Sequence, residues 1–194
     1  MIGNDIIDLQ LAKQSNRWKS WRFIEKLFTP EEQQFIQNSG SDRFELIWLL
    51  WSMKECAYKM HIQSGHPPSF APCKIHCQLE EDKLSGSVTI DEQHYHTTSK
   101  ITHDCIYTIA ICSNKNSFFN HFEQLSVKSD LSLCEACYQA ILLEYCNLMN
   151  INYNEVMIKK NDRKIPQIYR DHQVQDVELS ITHHGQFYGY AMML

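Results

Sequence analysis

Residues 49–60 read LLWSMKECAYKM, a mostly apolar stretch with three charged side chains, Lys54, Glu55 and Lys59. Apolar residues recur at helical spacing across this stretch and predict one long helix over residues 42–63. Burying a charge is costly unless the charge is paired or holds a metal. Lys54, Glu55 and Lys59 therefore either lie on an exposed face of this helix or serve a functional site.

The composition describes a folded chain with no charge pattern for nucleic acid. Its 194 residues are 43% hydrophobic and 21% charged, and the formal net charge is -5. We expect no nucleic-acid partner and no membrane association, since there is no basic patch and no apolar run near the ~20 residues that span a bilayer. The start MIGNDIIDLQ has no basic segment, so we expect a cytoplasmic protein whose eight cysteines are free thiols.

The hydrophobic pattern changes period along the chain and predicts a mixture of helices and strands. Thr29, Pro30 and Glu32 form a helix start with a capping box. The predicted helices are residues 18–28, 29–38, 42–63 and 131–149. The predicted strands are residues 2–9, 73–79, 85–90, 95–101, 106–112, 156–160, 167–169, 177–182 and 187–193.

This order, helices then strands, occurs twice and predicts an α+β fold made of two similar halves. We place one half at residues 1–114, a connection at 115–130 and the other half at 131–194. In each half a long helix is expected to pack on a small antiparallel sheet, which makes the chain a pseudodimer.

Two carboxylates on different elements suggest a cation site. Asp5 lies in the first strand and Glu55 in the long helix, and paired carboxylates with water and phosphate oxygens are a usual way to hold Mg²⁺. Lys59 follows Glu55 at i+4 on the same helical face, which suits a phosphate ligand. An ordinary surface pair of Glu and Lys has the same spacing, so the pattern alone leaves both interpretations open.

Histidines and cysteines form weaker patterns elsewhere in the chain. The segment SITHHG, residues 180–185, places polar side chains at a strand end, where they would bind phosphate or form an exposed turn. Cys134 and Cys137 form a CxxC within a predicted amphipathic helix, which favours core packing over metal binding. His94 and His96 alternate along a strand and favour a solvated face.

Three segments together resemble the 4'-phosphopantetheinyl transferases. IGNDIID at residues 2–8 resembles the family's G-x-D-I strand, and WSMKECAYK at residues 51–59 resembles its W-x-x-K-E helix. LSITHHG at residues 179–185 resembles its S-x-S/T-H-x-G strand end, and NDRKIPQIY at residues 161–169 resembles its G-K-P segment. The two halves stand in the reverse of the order found in the surfactin-type members, which predicts a circular permutation, a monomer, and chain ends that lie close together.

For the chemistry, the resemblance implies that Asp5 and Glu55 hold Mg²⁺ and that Lys59 stabilises phosphoryl charge. Glu55 or a water bound to the metal is then expected to take the proton of the attacking hydroxyl. Two-halved members often carry a third acid two residues after the motif Asp, and here that residue is Ile7.

For coenzyme A, the resemblance implies that His183 and Thr182 hold the 3'-phosphate, that Lys164 lies near the adenine, and that Lys54 contacts phosphates. The motif glycine before Lys164 is replaced by Arg163.

The implied activity is transfer of the 4'-phosphopantetheine arm of coenzyme A to a serine of an apo acyl or peptidyl carrier protein, with release of 3',5'-ADP. A non-catalytic module that binds coenzyme A or a carrier protein on the same fold is the alternative, and a small structural metal protein is a third. Candidate contacts for an acidic carrier are basic residues after the first strand, namely Lys13, Arg17, Lys19, Arg22 and Lys26.

Overall fold

Helices and antiparallel strands share the part of the chain that a computed structural model describes, residues 1–112 and 117–194. The helices are α1 (Leu9–Gln14), α2 (Trp21–Leu27), α3 (Pro30–Asn38), α4 (Arg43–Gln63) and α5 (Leu133–Met149). The strands are β1 (Ile2–Asp8), β2 (His76–Leu79), β3 (Ser85–Ile90), β4 (Gln93–Ile101), β5 (Cys105–Ile111), β6 (Phe119–Gln124), β7 (Val156–Lys160), β8 (Pro166–Arg170), β9 (Gln173–Val174), β10 (Glu178–His184) and β11 (Phe187–Met193). None of the helices in this part of the chain has the length and apolar content needed to cross a bilayer.

The strands form antiparallel sheets, each covered by one of the two long helices. One sheet has the order β1-β5-β4-β3-β2, and α4 packs across its β1 and β5 strands. A second has the order β10-β11-β6 and carries α5, while β7, β8 and β9 form a small sheet beside it. The predicted α+β class, with a long helix on an antiparallel sheet in each half, is confirmed.

Helix α3 begins with the capping box that its sequence predicts. The Thr29 backbone N–H donates to Glu32 Oε2 at 2.9 Å, and the Glu32 N–H donates to Thr29 Oγ1 at 3.3 Å. The same device starts α5, where Ser132 and Glu135 exchange the two bonds. Both helices thus begin within two residues of their predicted positions.

The sequence does not predict two of the strands, β6 and the two-residue β9. Strand β6 lies in the stretch that we assigned to a connection, and it pairs with β11 from Phe119–Met192 to Gln124–Phe187. Its side chains are polar or half-exposed, so they give no alternating pattern. Residues 113–116, where this stretch begins, lie outside the described residues, and the boundaries drawn between the two halves stay a prediction.

The buried apolar side chains divide into two large clusters and two small ones. One large cluster lies between α4 and the five-stranded sheet, and the other lies between α5 and the β10-β11-β6 sheet. A small cluster contains Ile2 together with Ala191 and Met193, and the amino terminus also forms an ion pair with Glu178. The two ends of the chain therefore lie together, as predicted.

Strands β1 and β10 are joined by side chains rather than by a backbone ladder. Strand β1 pairs through its backbone with β5, and the N–H groups of Asn4, Ile6 and Asp8 are left for the other side. These three groups donate to Ser180 Oγ at 3.0 Å, Thr182 Oγ1 at 3.2 Å and His184 Nδ1 at 2.9 Å. We call this row of three bonds the β1–β10 seam.

Gly3 lets β1 lie directly against helix α4. A Cβ atom at this position would overlap the backbone carbonyl oxygen of Cys56 and also crowd Met60. A backbone oxygen inside a helix cannot move aside without breaking the helix. The glycine therefore fixes how close the strand and the helix come, and with it the separation of Asp5 from the side chains of α4.

The charge of Lys54 is buried and fully compensated. Its side chain has 0% exposure, and Nζ lies 2.6 Å from Glu32 Oε2. Nζ also lies within 3.0 Å of the carbonyl oxygens of Leu27, Pro72 and Ile75. This ammonium thus ties α4 to the start of α3 and to the segment before β2.

Replacing Gly3 by alanine should destabilise the protein by about 3 kcal/mol or more, because the new methyl group meets rigid backbone. Gly40→Ala is the matched control, since Gly40 has a positive φ but open space around it and should cost only about 1 kcal/mol. Urea unfolding measures both. Equal losses in the two variants would show that β1 does not need the close approach.

Replacing Lys54 by methionine should cost about 3–5 kcal/mol, because it leaves the Glu32 carboxylate buried without its cation. The double variant with Glu32→Gln should recover part of this loss, since no unpaired charge remains. Lys74→Met, at an exposed lysine in the adjacent turn, should change the free energy of unfolding by less than about 0.5 kcal/mol. A Lys54→Met protein as stable as wild type would contradict this assignment.

Candidate functional site

A cleft of about 390 Å³ lies between α4 and the strands of the second half. Its walls bring together the carboxylates and cations that the sequence singles out. From β1 and α4 come Asp5, Glu55, Tyr58, Lys59, Ile62 and Gln63. From the second half come Cys134, Tyr138, Lys160, Arg163, Lys164, Ile165, Pro166 and residues 180–183.

Asp5 is held at the bottom of this cleft by one of its two oxygens. Oδ1 accepts from Thr182 Oγ1 at 3.2 Å and from Lys59 Nζ at 3.3 Å. Oδ2 is buried and accepts no hydrogen bond from the described residues, although the nearby Ser52 hydroxyl favours the ionised form. Burial raises the pKa of Asp5, and Lys59 opposes this shift.

Glu55 stands beside Asp5 with a strongly perturbed carboxyl group. Its pKa is raised to about 7, first because burial disfavours the charged form and second because the Asp5 carboxylate repels it. Lys59 partly offsets both effects. Two close carboxylates that resist ionisation together are an arrangement that a divalent cation relieves.

Lys59 connects three elements at the point where they meet. Its Nζ lies 2.8 Å from the Asn4 carbonyl oxygen, 3.3 Å from Asp5 Oδ1 and 3.5 Å from the Ile181 carbonyl oxygen. The side chain keeps 29% of its surface exposed on the cleft side. The lysine thus holds a positive charge beside both carboxylates and joins the two halves.

The THHG segment places neighbouring side chains in different surroundings. Thr182 is buried, with its hydroxyl on Asp5, whereas His183 is exposed in the cleft wall. His184 accepts the Asp8 N–H of the seam. The turn then needs Gly185, because its φ is +60° and a Cβ atom there would overlap the Asp8 side chain.

The second half supplies a group of cations that the sequence did not reveal as a group. Lys160, Arg163 and Lys164 all lie in the hairpin between β7 and β8, and all three are exposed in the cleft wall. Asn161 shapes this turn by accepting the N–H groups of Arg163 and Ile165, each at 3.0 Å. The signal was the run KNDRK in a predicted turn, of which only Lys164 was singled out.

Lys54 is one predicted site residue that the structure places elsewhere. It follows Met53 into the interior and bonds to Glu32, so its ammonium does not line this cleft. Adjacent residues of a helix point about 100° apart, and Lys54 therefore cannot share the face of Glu55 and Lys59. The expected contact with coenzyme A phosphates is replaced by a structural role.

The remaining cysteine and histidine patterns are largely structural. Cys137 is buried, and burial raises the pKa of its thiol to about 12, whereas Cys134 lies in the cleft wall beside Tyr138. His94 and His96 are exposed on β4, as predicted. Residues 1–112 and 117–194 contain no group of three or more His, Cys, Asp or Glu side chains placed to hold a metal, so a cation here would have only the carboxylates of Asp5 and Glu55 as charged ligands.

The raised pKa of Glu55 predicts that its ionisation opposes folding. The folded pKa of about 7 lies above the ordinary value of 4.5, so this group stabilises the folded state below pH 4.5 and loses its effect as the pH rises through 7. The loss is on the order of 3 kcal/mol. Urea unfolding of the metal-free protein at pH 5 and pH 8 should show it, and Glu55→Gln should remove it.

Glu45→Gln is the matched control, since Glu45 is exposed on the first turn of the same helix. This variant should keep the wild-type pH dependence. A Glu55→Gln protein that loses as much stability between pH 5 and pH 8 as wild type would show that Glu55 ionises freely in the folded state.

Comparison with known proteins identifies the family of this chain. A profile of the 4'-phosphopantetheinyl transferase superfamily matches residues 1–112, more than half of the chain. A search of curated proteins finds no match. Among solved structures, holo-acyl-carrier-protein synthase of Helicobacter pylori in complex with coenzyme A matches with 15% identity and a TM-score of 0.46, over 58% of this chain and 100% of that one.

The matched segment contains both the G-N-D strand and the K-E helix, and the structure brings these two elements together in the cleft. The chain belongs to the 4'-phosphopantetheinyl transferase superfamily.

Proposed function

We propose that this protein transfers the 4'-phosphopantetheine arm of coenzyme A to a serine hydroxyl of an apo acyl or peptidyl carrier protein and releases 3',5'-ADP. The observation that carries the proposal is the cleft itself. Carboxylates from β1 and α4 face exposed cations from the β7–β8 hairpin across a space of about 390 Å³. This combination suits a ligand with several phosphates and a bound divalent cation.

The residues present fit Mg²⁺. Asp5 keeps one buried carboxylate oxygen without a hydrogen-bond donor, and Glu55 stands close enough to be repelled by it. Mg²⁺ usually takes one or two protein carboxylates and completes its octahedron with water and substrate phosphates. When bound between Asp5 and Glu55, it would neutralise both carboxylates and offset the charge that develops on the pyrophosphate oxygens.

The chain's own cations divide between the reacting phosphates and the rest of coenzyme A. Lys59 is placed to stabilise charge near the carboxylates, because its Nζ is held at Asp5 and remains partly exposed. Lys160, Arg163, Lys164 and His183 are the candidates for the 3'-phosphate and the adenine end.

Glu55 is the proposed acceptor for the proton of the carrier serine. Burial and the Asp5 charge raise its pKa to about 7 in the metal-free protein, and a cation bound at this site would lower that pKa and keep the carboxylate ionised. The serine oxygen attacks the β-phosphorus of coenzyme A, the bond to the bridging oxygen breaks, and 3',5'-ADP leaves. Lys59 then neutralises charge on the phosphoryl oxygens throughout the transfer.

A carrier protein with an acidic face would meet a basic surface on α1, α2 and the helical turn between them. The five basic residues singled out there, at positions 13, 17, 19, 22 and 26, are all exposed. One of them, Arg17, borders a second cleft of about 490 Å³ that Trp48, Trp51 and His184 also line. His183 of the first cleft and His184 of the second are consecutive residues at the end of β10, so a carrier bound to this surface would lie at the same end of that strand as the first cleft.

We further propose that one chain is the active unit and that it works in the cytoplasm. Both halves of a single chain contribute side chains to the cleft, so a second copy is not needed to complete it. All eight cysteines are free, which suits a reducing compartment.

Intact-mass spectrometry tests the proposed transfer. An apo acyl or peptidyl carrier protein incubated with this protein, coenzyme A and Mg²⁺ should gain the mass of one phosphopantetheine arm. Asp5→Ala and Glu55→Gln should each reduce the rate by about 100-fold or more, as should EDTA, because each removes part of the cation site.

Glu45→Gln, on the exposed face of the same helix, should keep the wild-type rate. If no carrier gains mass although coenzyme A binds, the protein is a binding module rather than a transferase. If the carrier protein gains mass equally well with Asp5→Ala and in EDTA, the protein is a transferase but the proposed cation site is wrong.

A further inference from the structure

The hydroxyl of Thr182 serves two partners on the same strand. It accepts the Ile6 backbone N–H at 3.2 Å and lies 3.2 Å from Asp5 Oδ1. A hydroxyl carries one hydrogen, and the bond from Ile6 uses a lone pair, so the hydrogen of Thr182 points to Asp5. The bond from the Ile6 N–H therefore leaves Asp5 as the acceptor for the Thr182 hydrogen.

This arrangement decides which oxygen of Asp5 remains available. Thr182 Oγ1 and Lys59 Nζ both bond to Oδ1, whereas Oδ2 is buried and accepts no hydrogen bond from the described residues. The hydroxyl of Ser52 near Asp5 is likewise without a hydrogen bond to any of these residues. A buried carboxylate oxygen without a partner is unfavourable unless something else binds it. Because both donors bond to Oδ1, Oδ2 remains available to bind a cation.

We propose that Thr182 is a positioning residue, which orients Asp5 for the divalent cation rather than binding coenzyme A. This inference rests on the proposed function, because it concerns the same cation. Partners that orient a metal-binding side chain usually contribute about 10- to 100-fold to metal affinity. Thr182 and His183 then have different roles, because the His183 side chain is exposed in the cleft wall and remains a candidate for binding coenzyme A.

Threonine suits this task better than serine. Its β-branched side chain has restricted χ1 freedom within a strand, so the hydroxyl stays in one place when the cation is absent. The side chain is also 5% exposed, which shields both hydrogen bonds from competing water. Thr182→Ser keeps the hydroxyl and should retain most of the cation affinity, whereas Thr182→Val removes the hydroxyl and should lower that affinity.

Ser180 provides a matched control two residues earlier on β10. Its hydroxyl accepts the Asn4 N–H at 3.0 Å, just as Thr182 accepts the Ile6 N–H, but no hydrogen bond links it to Asp5. Ser180→Ala and Thr182→Val both leave one β1 N–H without its acceptor. Thr182→Val also removes the hydrogen bond to Asp5 and should lose more stability than Ser180→Ala, and only Thr182→Val should change cation binding.

Mn²⁺ is a convenient probe because it shares the oxygen-rich octahedral coordination of Mg²⁺ and is visible by electron paramagnetic resonance. Titrations with and without coenzyme A should give a Mn²⁺ dissociation constant about 10- to 100-fold higher in Thr182→Val than in wild type. Thr182→Ser should restore most of the affinity, and Ser180→Ala should bind like wild type.

Kinetics supply a second readout that a purely structural loss would not produce. In Thr182→Val the Mg²⁺ concentration for half-maximal activity should rise, while the rate at saturating Mg²⁺ stays near wild type. If Thr182→Val does not fold, Thr182→Ala makes the same test with a smaller side chain.

Wild-type Mn²⁺ affinity in the valine and alanine variants would overturn the positioning role and leave the proposed transferase intact. An equal loss in Ser180→Ala would also overturn it, since the effect would then belong to the seam as a whole. Wild-type protein that binds no Mn²⁺ would overturn both this inference and the proposed cation site.

Discussion

The row of three bonds between β1 and β10 is the constraint on which the rest of the structure depends. A strand at the edge of a sheet leaves every second N–H group without a backbone partner. In this protein Ser180, Thr182 and His184 supply the missing acceptors from the other half. Because side chains rather than carbonyls make the bonds, β10 need not continue the sheet of β1, and the two sheets meet with a cleft beside them.

The seam also explains why buried charge is tolerated where the halves meet. Lys59 bonds to a carbonyl oxygen on each side of the seam and to Asp5. The positive charge of Lys59 partly compensates the negative charge of Asp5, although burial still raises the pKa of Asp5. For the second acid, Glu55, burial and the charge of Asp5 outweigh the effect of Lys59 and raise the pKa to about 7.

Much of this fold could be predicted because local signals agreed with the final packing. The capping box at Thr29 and Glu32, the alternation in β3 and the apolar run in β11 gave element positions close to those found. Strand β6 escaped prediction because its burial depends on β11, which lies more than 60 residues later and leaves no pattern in FNHFEQ.

The candidate site could be predicted in part, for a related reason. Motif resemblance pointed to Asp5, Glu55, Lys59 and His183, and all four line the cleft. Lys54 stands next to Glu55 in the sequence, but adjacent residues of a helix point in different directions. Its partner Glu32 is 22 residues away, so the sequence does not reveal the ion pair. The cations Lys160 and Arg163 were missed because only the placement of the β7–β8 hairpin brings them to α4.

The separation of the seam partners along the chain has a consequence for biosynthesis. Each bond joins residues 176 positions apart, close to the full length of 194. During synthesis, α4 and its sheet can form long before β10 has been made. Until then, the N–H groups on the free edge of β1 lack their acceptors on β10. Contacts of this separation form late because loop closure must be completed first. The oriented carboxylate of Asp5 is therefore a property of the finished chain alone, and a truncated product keeps the acid without its orientation.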